Sequence, residues 1–205
     1  MNKKSHWDSA YEGESGSEVS WFQSKPERSL KLIAHSGVSP QSGRVIDVGG
    51  GASLLVDYLI HDGFENITVL DISSVALRTA QERLGECAKL IDWVEADIIQ
   101  FQTTEQFDLW HDRAVFHFLT QASERKRYID LLYQSIKPGG HVIIAAFAIG
   151  GPKKCSGLNI IQYNATKLSQ ELGEQFTLIE QEDEMHITPS RNEQAFGYYY
   201  FKREG

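Results

Sequence analysis

The residues best suited to chemistry form one stretch: Arg44 Val45 Ile46 Asp47 Val48 Gly49 Gly50 Gly51 Ala52 Ser53, a β-branched run that enters a glycine turn and then a helix. Glycines in such a turn tolerate positive φ and let the backbone approach a ligand closely, at the carboxyl end of the strand where the helix begins. A second acid, Asp71, ends the next β-branched run 20 residues after Gly51. A carboxylate there accepts two hydrogen bonds from a ribose diol.

Glycine spacing separates the nucleotide chemistries. A dinucleotide fingerprint counted from Gly49 needs its third glycine at position 54, which is Leu54, and counted from Gly50 it fails at Ala52. Asp47, two residues before the first glycine, is a strand carboxylate that needs a partner once buried. The ammonium of a bound methionine moiety supplies one, which favours S-adenosylmethionine over a nicotinamide or flavin cofactor.

These residues need a scaffold to position them. From Arg44 onward, short runs rich in β-branched or aromatic residues at 44–48, 66–71, 90–95, 107–110 and 141–147 alternate with stretches of 3.6-residue periodicity, the signature of a parallel sheet flanked by helices. The periodic stretches are 53–61, followed by Gly63; 73–84, opened by a serine cap and stopped by Gly85; and 123–136, closed by Pro138 Gly139 Gly140. A helix over 166–172 precedes two consecutive strands, 176–181 and 195–202. They form a hairpin whose 13-residue polar connection, Glu182 to Gln194, is long enough to reach over a substrate. Residues 1–43 are polar and irregular apart from a helix over 26–35, and read as an N-terminal extension or lid packed on a domain of residues 44–205. The expected fold is α/β: a Rossmann-like, seven-stranded, mostly parallel sheet with helices on both faces and an antiparallel C-terminal hairpin.

Bulk properties exclude several classes. The chain has 205 residues, 41% hydrophobic and 23% charged, as in an ordinary globular domain. Its net charge of -8 argues against a nucleic-acid partner and mildly favours a cationic acceptor. Cys87 and Cys155 lie in different segments with no close pair, so neither a disulfide framework nor a cysteine zinc site is expected, and no metal site is legible. The opening Met1 to Asp8 lacks the apolar run of a secretory signal, and the longest apolar run, Val142 to Ile149, is far short of a membrane span. A cytoplasmic protein with no membrane partner is the expectation.

Four elements in order resemble the class I methyltransferase family that uses S-adenosylmethionine. They are Asp47 Val48 Gly49 Gly50 Gly51; Asp71; Ala96 Asp97 Ile98; and Lys137 Pro138 Gly139 Gly140 before the fifth strand. The resemblance implies that Asp47, Gly49, Gly50 and Gly51 contact the methionine part and Asp71 the ribose hydroxyls. Asp97 would meet the adenine amino group, Ile98 would donate a backbone bond, and Ile72 would pack on the adenine face. It also implies that the acceptor enters near the end of the fourth strand. There His111, Asp112 and Arg113 are the catalytic candidates: His111 or Asp112 to accept a proton, Arg113 to orient a carboxylate or pair with Asp112. Trp7, Tyr11, Trp21 and His117 are candidates for the acceptor side, the aromatics together with Phe22 either forming a lid or docking the extension. Cys155, His186, Thr188 and Arg191 are weaker candidates.

The opening His6 to Tyr11 and Ser20 to Phe22 is similar to a group of small bacterial methyltransferases and, with Asn66 to Asp71, to lysine methyltransferases acting on translation elongation factor. The latter carry an Asp-Lys-Gly-Thr type element where this chain has Asp112 Arg113 Ala114 Val115. A small-molecule acceptor is expected first and a protein lysine second. A non-catalytic cofactor-binding module stands third, with the polar groups around the fourth strand counting against it.

Overall fold

The extension expected to be irregular carries a helix, α1 (Lys3–Glu12), ahead of α2 (Glu27–Ser36). This computed structural model describes residues 3–12 and 19–205; the remainder of the expected extension, 1–2 and 13–18, lies outside the described residues. Because α1 buries no residue fully, its sequence has no apolar stripe by which to announce a helix.

The expected alternation follows. It comprises β1 (Arg44–Val48), α3 (Leu55–His61), β2 (Asn66–Asp71), α4 (Ser74–Leu84), β3 (Ile91–Glu95), β4 (Phe107–Arg113), α5 (Ala122–Ser135) and β5 (Ile136–Phe147). A two-residue hairpin, β6 (Lys154–Cys155) and β7 (Leu158–Asn159), then leads to α6 (Ala165–Leu172), β8 (Phe176–Ile187) and β9 (Glu193–Arg203). The seven long strands form one sheet in the order β3-β2-β1-β4-β5-β9-β8, in which the first five are parallel and β9 is antiparallel to both neighbours. Strand order reverses between β1 and β4, so a crevice opens at their carboxyl ends.

Both faces of the sheet are covered. Leu32 of α2, Leu55 and Leu59 of α3 and Leu77 of α4 pack with Val45 and Leu109 on one face. On the other, Tyr128 and Leu132 of α5 and Leu168 of α6 pack with Ile46, Trp110 and Val142. Such two-sided burial explains why the central strands read as nearly continuous apolar runs.

Two expectations are corrected. β4 continues to Arg113, three residues past its expected end at Trp110, so strand alternation governs His111, Asp112 and Arg113. The long connection over Glu182 to Gln194 does not exist. β8 runs to Ile187, β9 begins at Glu193, and the link of residues 188–192 is closed by hydrogen bonds between Thr188 and Asn192. The stretch was misread because alternate acids take the place of apolar residues. Glu180, Glu182 and Glu184 receive His35, Arg28 and Gln23 at 2.8, 3.0 and 3.1 Å, and Lys31 also pairs with Glu182.

Candidate active site

The glycine turn is shaped by the two acids beneath it. Gly49, at φ +70°, donates to Leu70 O at 2.6 Å, which ties the end of β1 to the end of β2. A Cβ on Gly50 would stand 2.5 Å from Asp47 Oδ2, and one on Gly51, at φ +42°, would stand 2.7 Å from Asp71 Oδ2. Only glycine lets the loop cross both carboxylates this closely.

Each acid is held by its own neighbours. Asp71 Oδ1 accepts from Ser73 N–H at 2.8 Å, while Ser73 caps α4 by accepting from Ala76 N–H. Burial pushes the Asp71 carboxyl up to about 7 against that hydrogen bond, and the negative charges of Asp47 and Asp8 reinforce the rise. Asp97, after β3, accepts from Ile99 N–H at 3.2 Å through Oδ1. A cavity of about 420 Å³, the size of a small-ligand site, lies over these strand ends. Gly49, Asp71, Ile72, Asp97 and Ile98 all line it. Asp47 and Gly50 line a smaller adjoining cavity of about 50 Å³, and Gly51 sits against Asp71.

The three polar residues at the end of β4 separate by face. His111 pairs in register with Asp47 of β1, and its Nδ1 lies 2.7 Å from Asp47 Oδ1 while its Nε2 lies 2.8 Å from Ser29 Oγ of α2. It is 2% exposed and lines only the smaller cavity, so its contacts fix the orientation of Asp47. Asp112 points to the opposite face. Its carboxylate accepts from Val115 N–H at 2.9 Å, Phe116 N–H at 3.1 Å and Tyr128 Oη at 2.6 Å, and it lines neither cavity. Burial pushes Asp112 up to about 6. An ion pair between Arg113 and Asp112, one of the two roles expected for Arg113, is therefore absent: consecutive strand residues face opposite ways.

Arg113 lies in the cavity wall. It donates through Nε to Tyr198 Oη at 2.9 Å and through Nη1 to Trp21 O at 3.0 Å, and it stacks on Phe196 at 4.6 Å. His117 is fully buried between Phe118 and Phe147 and lines neither cavity. Its Nδ1 accepts from Phe147 N–H at 3.4 Å, and burial pushes the ring down to about 3, so it is neutral.

Helix α1 closes the cavity from above. Trp7, Tyr11 and Trp21 line it, with Trp7 edge-on to both Trp21 (5.7 Å) and Phe118 (5.0 Å) and Trp21 Nε1 donating to Tyr11 Oη at 3.1 Å. Polar clasps hold the helix down. Asp8 accepts from Ser73 Oγ at 2.8 Å, Lys4 pairs with Asp8 and with Glu95, and Lys3 pairs with Glu124. Trp7, Tyr11 and Trp21 thus pack on one another and line the main cavity, while Phe22 lines only the smaller one. Cys155 also lines the cavity, its thiol pushed up to about 11 by burial. His186 donates to Ser20 O, and Thr188 and Arg191 belong to the hairpin turn, away from the cavity. Ser29 and Tyr198 are missed by sequence reasoning because each meets the site from a distant segment, whereas Phe118 and Asp8 stand next to the candidates His117 and Trp7.

The chain matches the methyltransferase domain family over residues 46–144. It is 29% identical over 120 residues to nodulation protein S of Rhizobium tropici, a match covering 58% of this chain and 50% of that one. The chain thus spans about half the length of that relative. Its fold matches the N-methyltransferase NodS from Bradyrhizobium japonicum WM9, crystallised with S-adenosyl-L-homocysteine, with a TM-score of 0.71 at 21% identity over 97% of this chain and 98% of that one. It also matches 1,6-didemethyltoxoflavin-N1-methyltransferase of Burkholderia thailandensis, with a TM-score of 0.72 at 17% identity over 98% and 87% of the two chains. That enzyme was crystallised with 1,6-didemethyltoxoflavin and S-adenosylhomocysteine. In its motif order, its match to the methyltransferase domain and its sheet topology alike, this chain is similar to class I S-adenosylmethionine-dependent methyltransferases.

Proposed function

We propose that the protein transfers a methyl group from S-adenosylmethionine to a small-molecule acceptor held beneath α1. The observation that carries this reading is the cavity itself, which gathers Gly49, Asp71, Ile72, Asp97 and Ile98 from three successive strand ends under an aromatic cover. The cofactor's sulfonium supplies the methyl group and its leaving group. Asp47, oriented by His111, holds the methionine ammonium; Gly49, Gly50 and Gly51 let the backbone close on that end; and Asp71 takes the ribose diol. Asp97 takes the adenine amino group, with Ile72 and Ile98 against the ring. The protein's own work is alignment and exclusion of water, which an in-line displacement needs more than it needs a general base.

A small acceptor is favoured because α1, Trp7 and Trp21 roof the cavity. The toxoflavin enzyme, bound to a small heterocycle, supports the same choice. Calorimetric titration of S-adenosylmethionine and S-adenosylhomocysteine into wild type and Asp71→Ala tests the donor half. Saturable binding that the substitution abolishes is expected; no binding by the wild type refutes the reading. Incubation with labelled donor and cell extract tests the acceptor half: label in the small-molecule fraction is expected, whereas a labelled protein band assigns a protein lysine instead.

A further inference from the structure

Arg113 has more hydrogen-bonding capacity than the fold uses. Its Nη2 is buried with no partner, and the guanidinium makes no ion pair among the described residues. Asp112, its neighbour in sequence, is committed to the opposite face. Glu184 lies one hydroxyl away, accepting from Tyr198 Oη at 2.9 Å while that oxygen accepts from Arg113 Nε. A guanidinium held on three sides in a cavity wall, with no carboxylate in direct contact among the described residues and Nη2 unpartnered, is suited to an incoming anion.

We propose that Arg113 anchors the methyl acceptor by an anionic oxygen group of the carboxylate class. The inference rests on the methyl-transfer reading above and adds the substrate class to it. Arginine suits this role because the unpartnered Nη2 retains charge-assisted N–H groups for an anionic oxygen while Nε and Nη1 hold the guanidinium in place. The acid in this neighbourhood, Glu184, is taken up by Tyr198 Oη and Gln23 Nε2; the Cys155 thiol is pushed up to about 11 and His117 is held neutral by burial, so neither of these supplies an anion. Trp21 both lines the cavity and fixes Arg113 through its carbonyl, and with Trp7, edge-on to it and to Phe118, it offers an aromatic wall for an apolar body. The acceptor so described is small, apolar along its length and carboxylated at the end that meets Arg113. The cationic acceptor favoured by net charge alone is disfavoured at this position.

The test uses protein saturated with S-adenosylhomocysteine and three probe pairs: acetate and acetamide, benzoate and benzamide, indole-3-acetate and indole-3-acetamide. Calorimetry is expected to show at least one acid binding about ten-fold or more tightly than its amide, with a preference constant from pH 6 to 9. Arg113→Met is expected to erase the preference and leave affinity for S-adenosylhomocysteine within about three-fold of wild type. Equal binding of every acid and its amide to the wild type overturns the proposal, and that comparison stands even if Arg113→Met does not fold. A loss of about ten-fold or more in S-adenosylhomocysteine affinity in Arg113→Met also overturns it, because the guanidinium then holds the donor's own carboxylate. Failure of the wild type to bind S-adenosylhomocysteine at all is a separate result and defeats the methyl-transfer reading itself.

Discussion

Asp71 is expected to make cofactor binding pH-dependent, and the size of the effect follows from its surroundings. Burial, with Asp47 and Asp8 nearby, pushes its carboxyl up to about 7 from the usual 3.8. Such a group is about nine-tenths protonated at pH 6 and about nine-tenths ionised at pH 8. A ribose diol donates two hydrogen bonds to the ionised form, so binding at pH 6 must first remove a proton. Affinity at pH 6 should then be about ten-fold weaker than at pH 8, equivalent to about 1.4 kcal/mol, with about 0.9 proton released per ligand bound at pH 6. The unliganded protein should show the opposite trend. Because the folded carboxyl is raised, Asp71 contributes stability below its ordinary value that is lost as pH rises through about 7. Adenosine is the right probe, since it keeps the diol and lacks the amino-acid end that Asp47 would hold. Calorimetry from pH 5.5 to 8.5 in buffers of different ionisation enthalpy reads affinity and proton release together, on wild type and on Asp71→Asn. Wild type should show the slope and Asp71→Asn should bind weakly with a flat profile. A flat wild-type profile, or a slope that persists in Asp71→Asn, refutes the assignment.

Three further predictions separate the parts of the site. Gly51→Ala places a Cβ 2.7 Å from Asp71 Oδ2 at φ +42°; it should cost about 1–2 kcal/mol in thermal unfolding and abolish adenosine binding. His111→Ala removes the partner of buried Asp47 and Ser29. Titrations should show about ten-fold weaker S-adenosylhomocysteine binding with adenosine nearly unaffected, and equal losses for both ligands would place His111 elsewhere in the scheme. Asp112→Ala strips the acceptor from Val115 N–H, Phe116 N–H and Tyr128 Oη. It should lower stability by about 3 kcal/mol while folded protein retains its S-adenosylhomocysteine affinity; normal melting with lost turnover would instead make Asp112 a chemical participant.

The parts of the fold that were legible in sequence are those where local pattern and burial coincide. β1 and β2 lie inside the sheet, so their interiors are apolar and β-branched apart from Asp47, and Ser73 and Gly85 bound α4 as cap residues should. Where side chains find charged partners instead of a core, the pattern failed. β8 presents Glu180 and Glu182 to a basic face of α2 that lies about 150 residues earlier in the chain, a spacing at which no window of sequence reports contact, and Glu184 meets Gln23 just ahead of that helix. Helix α1 is held the same way, by Lys3, Lys4 and Asp8 reaching Glu124, Glu95 and Ser73. Both elements are pinned by long-range polar contacts, so polarity there indicated a tertiary ion-pair seam and not a loop.

The end of β4 shows how polar residues adjacent in sequence are parted by the strand that carries them. Grouping His111, Asp112 and Arg113 as one polar triplet assumes a loop, in which neighbours can turn to a common ligand. In a strand they cannot, because alternate residues point to opposite faces. Once the strand extends to Arg113, registry with β1 sets His111 beside Asp47, and the opposite face receives Asp112, where Tyr128 and two backbone N–H groups take it up. Arg113 returns to the His111 face but stands at the strand's end, where the cavity begins. One period of two therefore distributes three polar residues among three places: beside Asp47, beneath the turn into α5, and in the cavity wall. Parity along β4, together with the position at which the strand stops, carries the distinction that residue type alone could not make.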